Sequence, residues 1–291
     1  MAHAAETCGA GCQPASRLSI GPPVLSRRQF IPALSLPAAA SLLSGALGVR
    51  ALGSASEEQS KTPLVVARNY FLKSGSQPER LHAFLKNGLV PGLARSPMGP
   101  PIILDALIAA HMPQVMTLFG FRSVEQWRAA EDKLAGLRSY RDALDQWERG
   151  EDGPYEEYSE RLLGATPFSP PLPVAQGNDP ARIFELRVYH SPTSRQLAAL
   201  NDRFEGKEIG IFHRSGIHPI LYTNAVTGDH LPNLTYLIPF DSLAAREKAW
   251  AAFASDPEWI KVRAESVQKF GQISSVIEMS IWRATAFSPV R

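Results

Sequence analysis

Cysteine is absent from the sequence after position 12. The chain has 291 residues and two cysteines, Cys8 and Cys12, which both lie in a segment that we predict to be removed. Without that segment, the protein has no disulfide, no thiolate nucleophile and no cysteine metal ligand.

An excess of charge of one sign is also absent. The chain has 30 basic and 28 acidic residues, but four of the basic residues and one of the acidic residues lie in the first 56 positions. The remainder therefore holds 26 basic and 27 acidic residues. This balance offers no basic surface to a nucleic acid or an anionic membrane, so we predict no nucleic-acid partner.

Several catalytic and metal-binding motifs are missing. The sequence has no G-x-S-x-G, no phosphate-binding loop and no dinucleotide-binding fingerprint. Six histidines follow position 56, but none forms an H-x-x-x-H or H-x-x-E-H spacing, so we predict no metal site. His213 stays a candidate ligand-binding residue. Its more ordinary role would be a favourable contact with the C-terminus of a helix.

The first 56 residues have the layout of an export signal. The pair Arg27-Arg28 is followed by an uncharged stretch at 31–49 and by small residues at 51–56. This order is typical of a twin-arginine signal, so we predict removal of residues 1–56, a periplasmic or extracellular location and no membrane span after processing. A transmembrane anchor is the alternative, although prolines and glycines interrupt the stretch.

The remaining sequence contains a repeat with an offset of 119 positions. Arg68 and Tyr70 align with Arg187 and Tyr189, and Pro113 aligns with Pro232. The register holds over about 70 residues, which predicts two copies of one folding unit. We place unit one at 62–168 and unit two at 181–286, joined by a proline-rich linker at 169–180.

Both units show the same order of strands and helices. In unit two, residues 182–189 alternate in polarity as a strand does, and Ser242 and Asp256 stand where helices should begin. In unit one, Ser123 and Gln126 predict a capping box. The order is β-α-β-β-α-β, so we predict an α+β fold made of tandem ferredoxin-like units.

Unit two resembles the NIPSNAP family. The resemblance is carried by Glu185-Leu186-Arg187 with Tyr189, and by the run from Asp241 to Trp259. Unit one resembles a degenerate copy without the Asp-Pro-Glu-Trp segment. The resemblance implies a dimeric α/β-barrel-type fold built within one chain. The superfamily includes small oxygenases and haem-handling enzymes, and the family itself implies no settled reaction.

The first strand of each unit carries the candidate ligand-binding residues. A sheet with helices on one face must bury its other face, so we predict that the two sheets pack against each other. Phe184, Leu186 and Val188 suit the helix-covered face. The opposite face, toward a cavity between the sheets, would then carry Glu185, Arg187, Tyr189, Arg68 and Tyr70.

Two interpretations of this polar face stay open. Arg187 and Tyr189 could hold an anionic or oxygen-bearing ligand, or Arg187 and Glu185 could form a structural pair that fixes how the sheets dock. We therefore predict an exported NIPSNAP-like protein that binds a small ligand or a protein at the inter-sheet cavity. A cofactor-independent oxygenase-type or haem-handling enzyme is the alternative. No catalytic residue is assigned and no cofactor is predicted, with haem as the alternative, and a homo-oligomer stays open.

Overall fold

The computed structural model describes residues 64–93, 101–171 and 182–291, which belong to one compact unit. The predicted signal at 1–56 and most of the predicted linker at 169–180 lie outside the described residues. Within the described ranges, no helix combines the length and apolar character that a membrane crossing requires.

Two β-α-β-β-α-β sets follow each other along the chain. Unit one contains β1 (Leu64–Phe71), α1 (Gln77–Phe84), a first π-helical segment (Leu85–Leu89), α2 (Val90–Leu93), β2 (Ile102–Ile108), β3 (Gln114–Phe121), α3 (Val124–Gly136), α4 (Arg138–Glu148) and β4 (Glu157–Ala165). Unit two contains β5 (Ile183–His190), α5 (Ser194–Arg203), a second π-helical segment (Phe204–Glu208), α6 (Ile209–Arg214), β6 (Leu221–Ala225), β7 (Asn233–Phe240), α7 (Leu243–Ser255), α8 (Pro257–Phe270) and β8 (Val276–Ala284).

The eight strands form a closed antiparallel barrel in the order β1-β3-β2-β8-β5-β7-β6-β4. Unit one supplies one four-stranded sheet and unit two the other, and they join where β2 pairs with β8 and β4 pairs with β6. The predicted fold class, tandem ferredoxin-like units in a dimeric α/β-barrel-type fold within one chain, is confirmed. The inner faces of the two sheets pack against each other inside the barrel, as predicted, and the edge-to-edge pairing leaves no open sheet edge.

The core has three layers, one inside the barrel and one between each sheet and its helices. The barrel interior is filled by apolar side chains from both units, among them Val65, Leu104, Phe184, Leu186 and Trp282. The other two layers are Tyr70, Phe84, Phe119 and Trp147 with their neighbours in unit one, and Tyr189, Phe204, Phe212 and Tyr236 with theirs in unit two. The central strands β1, β3, β5 and β7 are therefore buried on both faces over most of their length.

Three predicted helix starts are confirmed by their hydrogen bonds. Ser123 Oγ accepts from the backbone N–H of Gln126 (3.2 Å) and Ser242 Oγ accepts from that of Ala245 (3.1 Å). The Asp256 carboxylate accepts from two backbone N–H groups in the first turn of α8 (2.9 and 3.1 Å). These bonds satisfy donors that a helix N-terminus otherwise leaves unpaired.

Both units interrupt their first helix with a π-helical segment at the same place. Leu85–Leu89 and Phe204–Glu208 are each five residues long and are related by the 119-residue offset. A π segment holds one residue more than an α-helical turn, so it changes which side chains face the sheet. In unit two it carries the buried Glu208 to the sheet side of the helix, where unit one has Leu89.

Candidate functional site

Arg187 and Tyr189 lie on the helix-covered face of β5, which corrects the predicted orientation. Tyr189 packs in the helix-side cluster with Phe204, whereas Phe184 and Leu186 lie inside the barrel. The orientation was wrong because both faces of the strand are buried. The continuous apolar face fills the closed interior, and the face with charges lies where gaps between the helices give access to solvent. The candidate residues of β1, Arg68 and Tyr70, take the same helix-side orientation in unit one.

A cavity of about 400 Å³ opens between the β5–β8 part of the sheet and the helices of unit two. We call it the arginine pocket. Its walls include Arg187, Arg203, Arg246 and Arg263, the indoles of Trp250 and Trp259, and Tyr189 and Glu208. The predicted candidates Arg187 and Tyr189 are therefore brought together, in a space enclosed by helices and not between two sheets.

Glu185 anchors two of these arginines from beneath the pocket. Its carboxylate is fully buried and accepts hydrogen bonds from Arg187 Nη1 (2.9 Å) and from Arg246 Nε (2.8 Å) and Nη2 (3.1 Å). The indole N–H of Trp250 donates a further bond to it (2.8 Å). A buried carboxylate that accepts this many hydrogen bonds fixes both guanidinium groups in place. The predicted Arg187–Glu185 pair is thus present.

Tryptophan rings lie against two of the guanidinium groups in the pocket. The Arg187 guanidinium lies 4.2 Å from the centroid of the Trp250 ring, and that of Arg203 lies 4.9 Å from the centroid of the Trp259 ring. Cation–π contacts at these distances stabilise charge in a partly desolvated place. The pocket therefore presents positive charge beside flat apolar surface.

Glu208 is the acidic group in the wall of the pocket. It is buried and its carboxylate accepts a hydrogen bond from Arg203 Nε (2.7 Å). Burial raises the pKa of Glu208 to about 7, while the charges of Arg203 and Arg187 limit the rise. A carboxyl group in this range exchanges a proton near neutral pH.

Positive charge exceeds negative charge around the pocket. Its four arginines face three carboxylates, the buried Glu185 and Glu208 and the exposed Glu247 beside Arg246, and Glu208 is only partly ionised near neutral pH. The Nε atom of Arg187 is buried and has no hydrogen-bond partner in the described part of the chain. Arg263 is exposed and, among the described residues, forms no ion pair. This arrangement can accept an anionic group.

Unit one has a smaller cavity at the equivalent place, and the arginine in it is already paired with acidic side chains. Its cavity measures about 190 Å³. Arg68 donates from Nε to Glu160 (2.6 Å) and from Nη2 to Glu131 (2.5 Å), so its charge is met by two carboxylates. The position of Glu131 corresponds to that of Trp250 in unit two. The arginine of the first strand therefore faces a carboxylate in unit one and an aromatic ring in unit two.

His213 is not brought to the arginine pocket. It lies at the end of α6, where its ring stacks on that of His218 at a centroid distance of 5.1 Å. Burial and the neighbouring His218 lower the pKa of His213. The structure thus separates this candidate from Arg187 and Tyr189.

Sequence reasoning missed six residues of the site: Arg203, Glu208, Arg246, Trp250, Trp259 and Arg263. The two tryptophans follow helical spacing, which is typical of packing positions and does not by itself indicate a site. Arg203 and Glu208 are five residues apart, a spacing that an α-helix does not bring to one face and a π segment does. Glu185 gave a signal for Arg246, because a buried carboxylate needs more than one hydrogen-bond donor and Arg187 supplies one.

The half of the barrel that holds the pocket matches a known family. The family model for NIPSNAP matches residues 184–289. Those residues form a NIPSNAP domain. The match begins in β5 and ends after β8, so the arginine pocket lies within the NIPSNAP domain.

Several solved structures are similar to this chain. A NIPSNAP family protein from Agrobacterium tumefaciens is 22% identical, over 38% of this chain and 94% of that chain, with a TM-score of 0.34. A NIPSNAP domain protein from Burkholderia xenovorans is 18% identical, over 37% and 98%, with a TM-score of 0.33. A protein from Lactobacillus acidophilus NCFM described as a candidate monooxygenase is 12% identical, over 79% and 97%, with a TM-score of 0.49. No curated protein matches significantly.

Proposed function

We propose that this protein binds a small anionic ligand with a flat apolar body in the arginine pocket of its NIPSNAP domain. The observation that carries the proposal is the buried Arg187 Nε without a partner, in a wall with more arginines than acids. A cavity of about 400 Å³ lies within the range of about 300–1,000 Å³ usual for small-molecule sites. The anion would meet the guanidinium groups and the body would lie against Trp250 and Trp259.

Binding can be tested with 2-naphthoate and its neutral relative 2-naphthamide. Both have the same flat ring system and differ in the charge that the pocket would recognise. Isothermal titration calorimetry on the full chain should show 2-naphthoate binding at least about tenfold more tightly, since hydrogen bonds to charged groups are each worth about 1.5–3 kcal/mol. Equal affinities for the two compounds would contradict recognition of an anion.

A pair of matched variants locates the binding. Arg263→Gln removes an exposed cation from the pocket wall, and Arg195→Gln removes an exposed cation from α5 that does not line it. We expect the first to weaken 2-naphthoate binding and the second to leave it unchanged. Mass spectrometry of small molecules retained on the purified protein would then identify the natural ligand class.

An acid–base enzyme is a second candidate, favoured by Glu208. Its carboxyl group lines the pocket with a pKa of about 7, which suits a general base at neutral pH. Substrate activation by proton abstraction is also what a cofactor-independent oxygenase would need. Such an enzyme would exchange a C–H proton of its substrate with deuterium from D2O, and Glu208→Gln would stop the exchange. A retained ligand that shows no exchange with the wild-type protein argues for binding alone.

We further propose that the chain is exported by the twin-arginine route. The support is the order of Arg27-Arg28, the uncharged stretch at 31–49 and the small residues at 51–56. Residues 1–60 fused to a reporter should be exported and cleaved, and replacement of both arginines by lysine should stop export. A fusion that stays uncleaved in the cytoplasm would contradict the proposal.

A further inference from the structure

A second cavity lies at one mouth of the barrel, on the face of the strands opposite the arginine pocket. It has a volume of about 470 Å³, and its lining includes Leu186 and Trp282 from the barrel interior together with Arg161, His230 and Glu278. Glu278 and Ile277 are successive residues of β8, and Ile277 lines the arginine pocket. Because successive side chains of a strand point to opposite faces, the two cavities are separated by the sheet.

Three potential metal ligands meet at this mouth from three parts of the chain. His190 is the last residue of β5, and Glu278 lies diagonally across from it on β8, whose Val276 pairs with His190. His230 comes from the loop between β6 and β7. One ligand atom from each of the three side chains lies within 4.8 Å of those of the other two.

The separations between these ligand atoms fit a shared ion better than direct hydrogen bonds. Glu278 Oε1 is 3.4 Å from His190 Nε2 and 3.8 Å from His230 Nε2. Hydrogen bonds between such atoms are usually about 2.7–3.2 Å long. Tetrahedral ligands at about 2.0–2.1 Å from a zinc ion lie about 3.4 Å from each other. Small side-chain rotations would therefore close the set around one ion.

In the described part of the chain, neither the side chain of His190 nor that of Glu278 has a strong hydrogen bond or an ion pair with arginine or lysine. His190 Nε2 is buried and has no hydrogen-bond partner in the part of the chain that the structure describes. Among the described residues, the groups that pair with Glu278 within 4.0 Å are the two histidines, and no arginine or lysine does so. The buried His190 nitrogen therefore lacks a hydrogen bond, and the exposed Glu278 carboxylate beside it has no competing cation within the described ranges, so both can bind a metal ion.

His230 is held in a conformation that costs free energy. Its φ angle is +58°, and it is the one non-glycine residue with positive φ in the described part of the chain. The side chain of Asn233 donates hydrogen bonds to the carbonyl oxygens of Asp229 and His230 (both 3.2 Å) and so supports the loop. Local strain of this kind tends to occur where a side chain must be held in a functional position.

We propose that His190, His230 and Glu278 bind one divalent transition-metal ion at the barrel mouth. Two imidazoles and one carboxylate suit ions of the zinc and iron class, and three protein ligands leave coordination positions open toward the cavity. Arg161 lines the same cavity, and its Nε is buried without a partner. An anion bound to the metal would meet this guanidinium group.

The test uses the full chain after treatment with a chelator, titrated with Co2+ and then with Zn2+. Co2+ should bind one ion per chain with visible d–d absorption bands, and Zn2+ should displace it. Glu278→Gln and His190→Gln keep the side-chain size and should weaken Zn2+ binding by at least about 100-fold, the upper end of the effect of losing an outer-shell partner. Absence of Co2+ bands in the wild-type protein would overturn the proposal.

Two further variants separate loss of a ligand from loss of structure. His230→Asn introduces a residue that tolerates positive φ, so it tests the imidazole and spares the loop. The rings of His190 and His230 are stacked, and so are those of His213 and His218. His213→Gln alters the second pair alone and should bind Co2+ like the wild type. Zn2+ should raise the Tm of the wild-type protein and leave that of Glu278→Gln unchanged, whatever its starting value. Bands that survive in the three mouth variants, or vanish in His213→Gln, would assign the ion to another place.

Discussion

Arg68 and Arg187 occupy the same position in the two units, but Arg68 contacts two carboxylates and Arg187 contacts one. The second guanidinium group therefore keeps unused binding capacity, and it does so beside the larger of the two cavities. This difference makes the two units unequal in what they can bind, although their strands and helices correspond.

Removal of each arginine should separate binding from stability. Arg187→Gln should weaken 2-naphthoate binding by at least about tenfold, because it removes a charged donor worth about 1.5–3 kcal/mol. Arg68→Gln, the matched variant in unit one, should leave the affinity within about twofold, since its charge is already neutralised. Calorimetry measures the affinities, and urea unfolding checks that both variants are folded. Equal losses of affinity would place the ligand elsewhere.

Glu185 should be important for stability as well as for binding. Glu185→Gln removes the buried negative charge that Arg187 and Arg246 share. Breaking a buried charge pair costs about 3–5 kcal/mol, so we expect a loss of that order in the free energy of unfolding. Urea denaturation measures it. The exposed Glu247, which also contacts Arg246, is the control, and Glu247→Gln should change stability by less than about 0.5 kcal/mol.

The pH dependence of stability should carry the signature of Glu208. Burial raises its pKa from 4.5 to about 7 on folding. Between these values the folded chain holds a proton that the unfolded chain has released, so the free energy of unfolding falls as pH rises through this window. The slope contributed by one such group reaches about 1.4 kcal/mol per pH unit.

Glu208→Gln tests this assignment. Urea unfolding of the wild-type protein at about pH 5 and about pH 8 should show the fall in stability, and the variant should lose the part of it due to Glu208. If the two proteins show the same change between these pH values, Glu208 is ionised in the folded state throughout the range.

Trp282 should be a major contributor to the barrel interior. Its side chain is buried inside the barrel and also forms part of the mouth cavity. Trp282→Ala should destabilise the fold by about 3–5 kcal/mol, through lost burial and the cavity left behind. Ile260→Ala, at an exposed position on α8, should change stability by less than about 0.5 kcal/mol. Thermal or urea unfolding measures both, and a small effect of Trp282→Ala would mean that the interior collapses around the gap.

The fold could be predicted from the sequence because its signals are local or periodic. Ser123, Ser242 and Asp256 stand at the predicted helix starts, and the repeat identified two equivalent units. The orientation of β5 could not be predicted in the same way. Alternation shows that its odd and even residues face opposite sides, but here both sides are buried, so polarity does not tell the barrel interior from the helix layer.

The sites were harder to predict for a different reason. The arginine pocket combines residues from two strands, a π segment and three helices, and the π segment breaks the periodicity by which Glu208 could be placed. His190, His230 and Glu278 are far apart in sequence, so no short motif joins them. Barrel closure brings such residues together, and spacing rules do not describe it.

The matching π-helical segments have a consequence for the history of the molecule. An extra residue in a helix is an uncommon event, and the two segments occupy equivalent places in the two units. The simplest explanation is that the insertion was present in a single unit before that unit was duplicated within the chain. Leu89 and Glu208 occupy the same position in the two segments, so the two units now differ there in polarity.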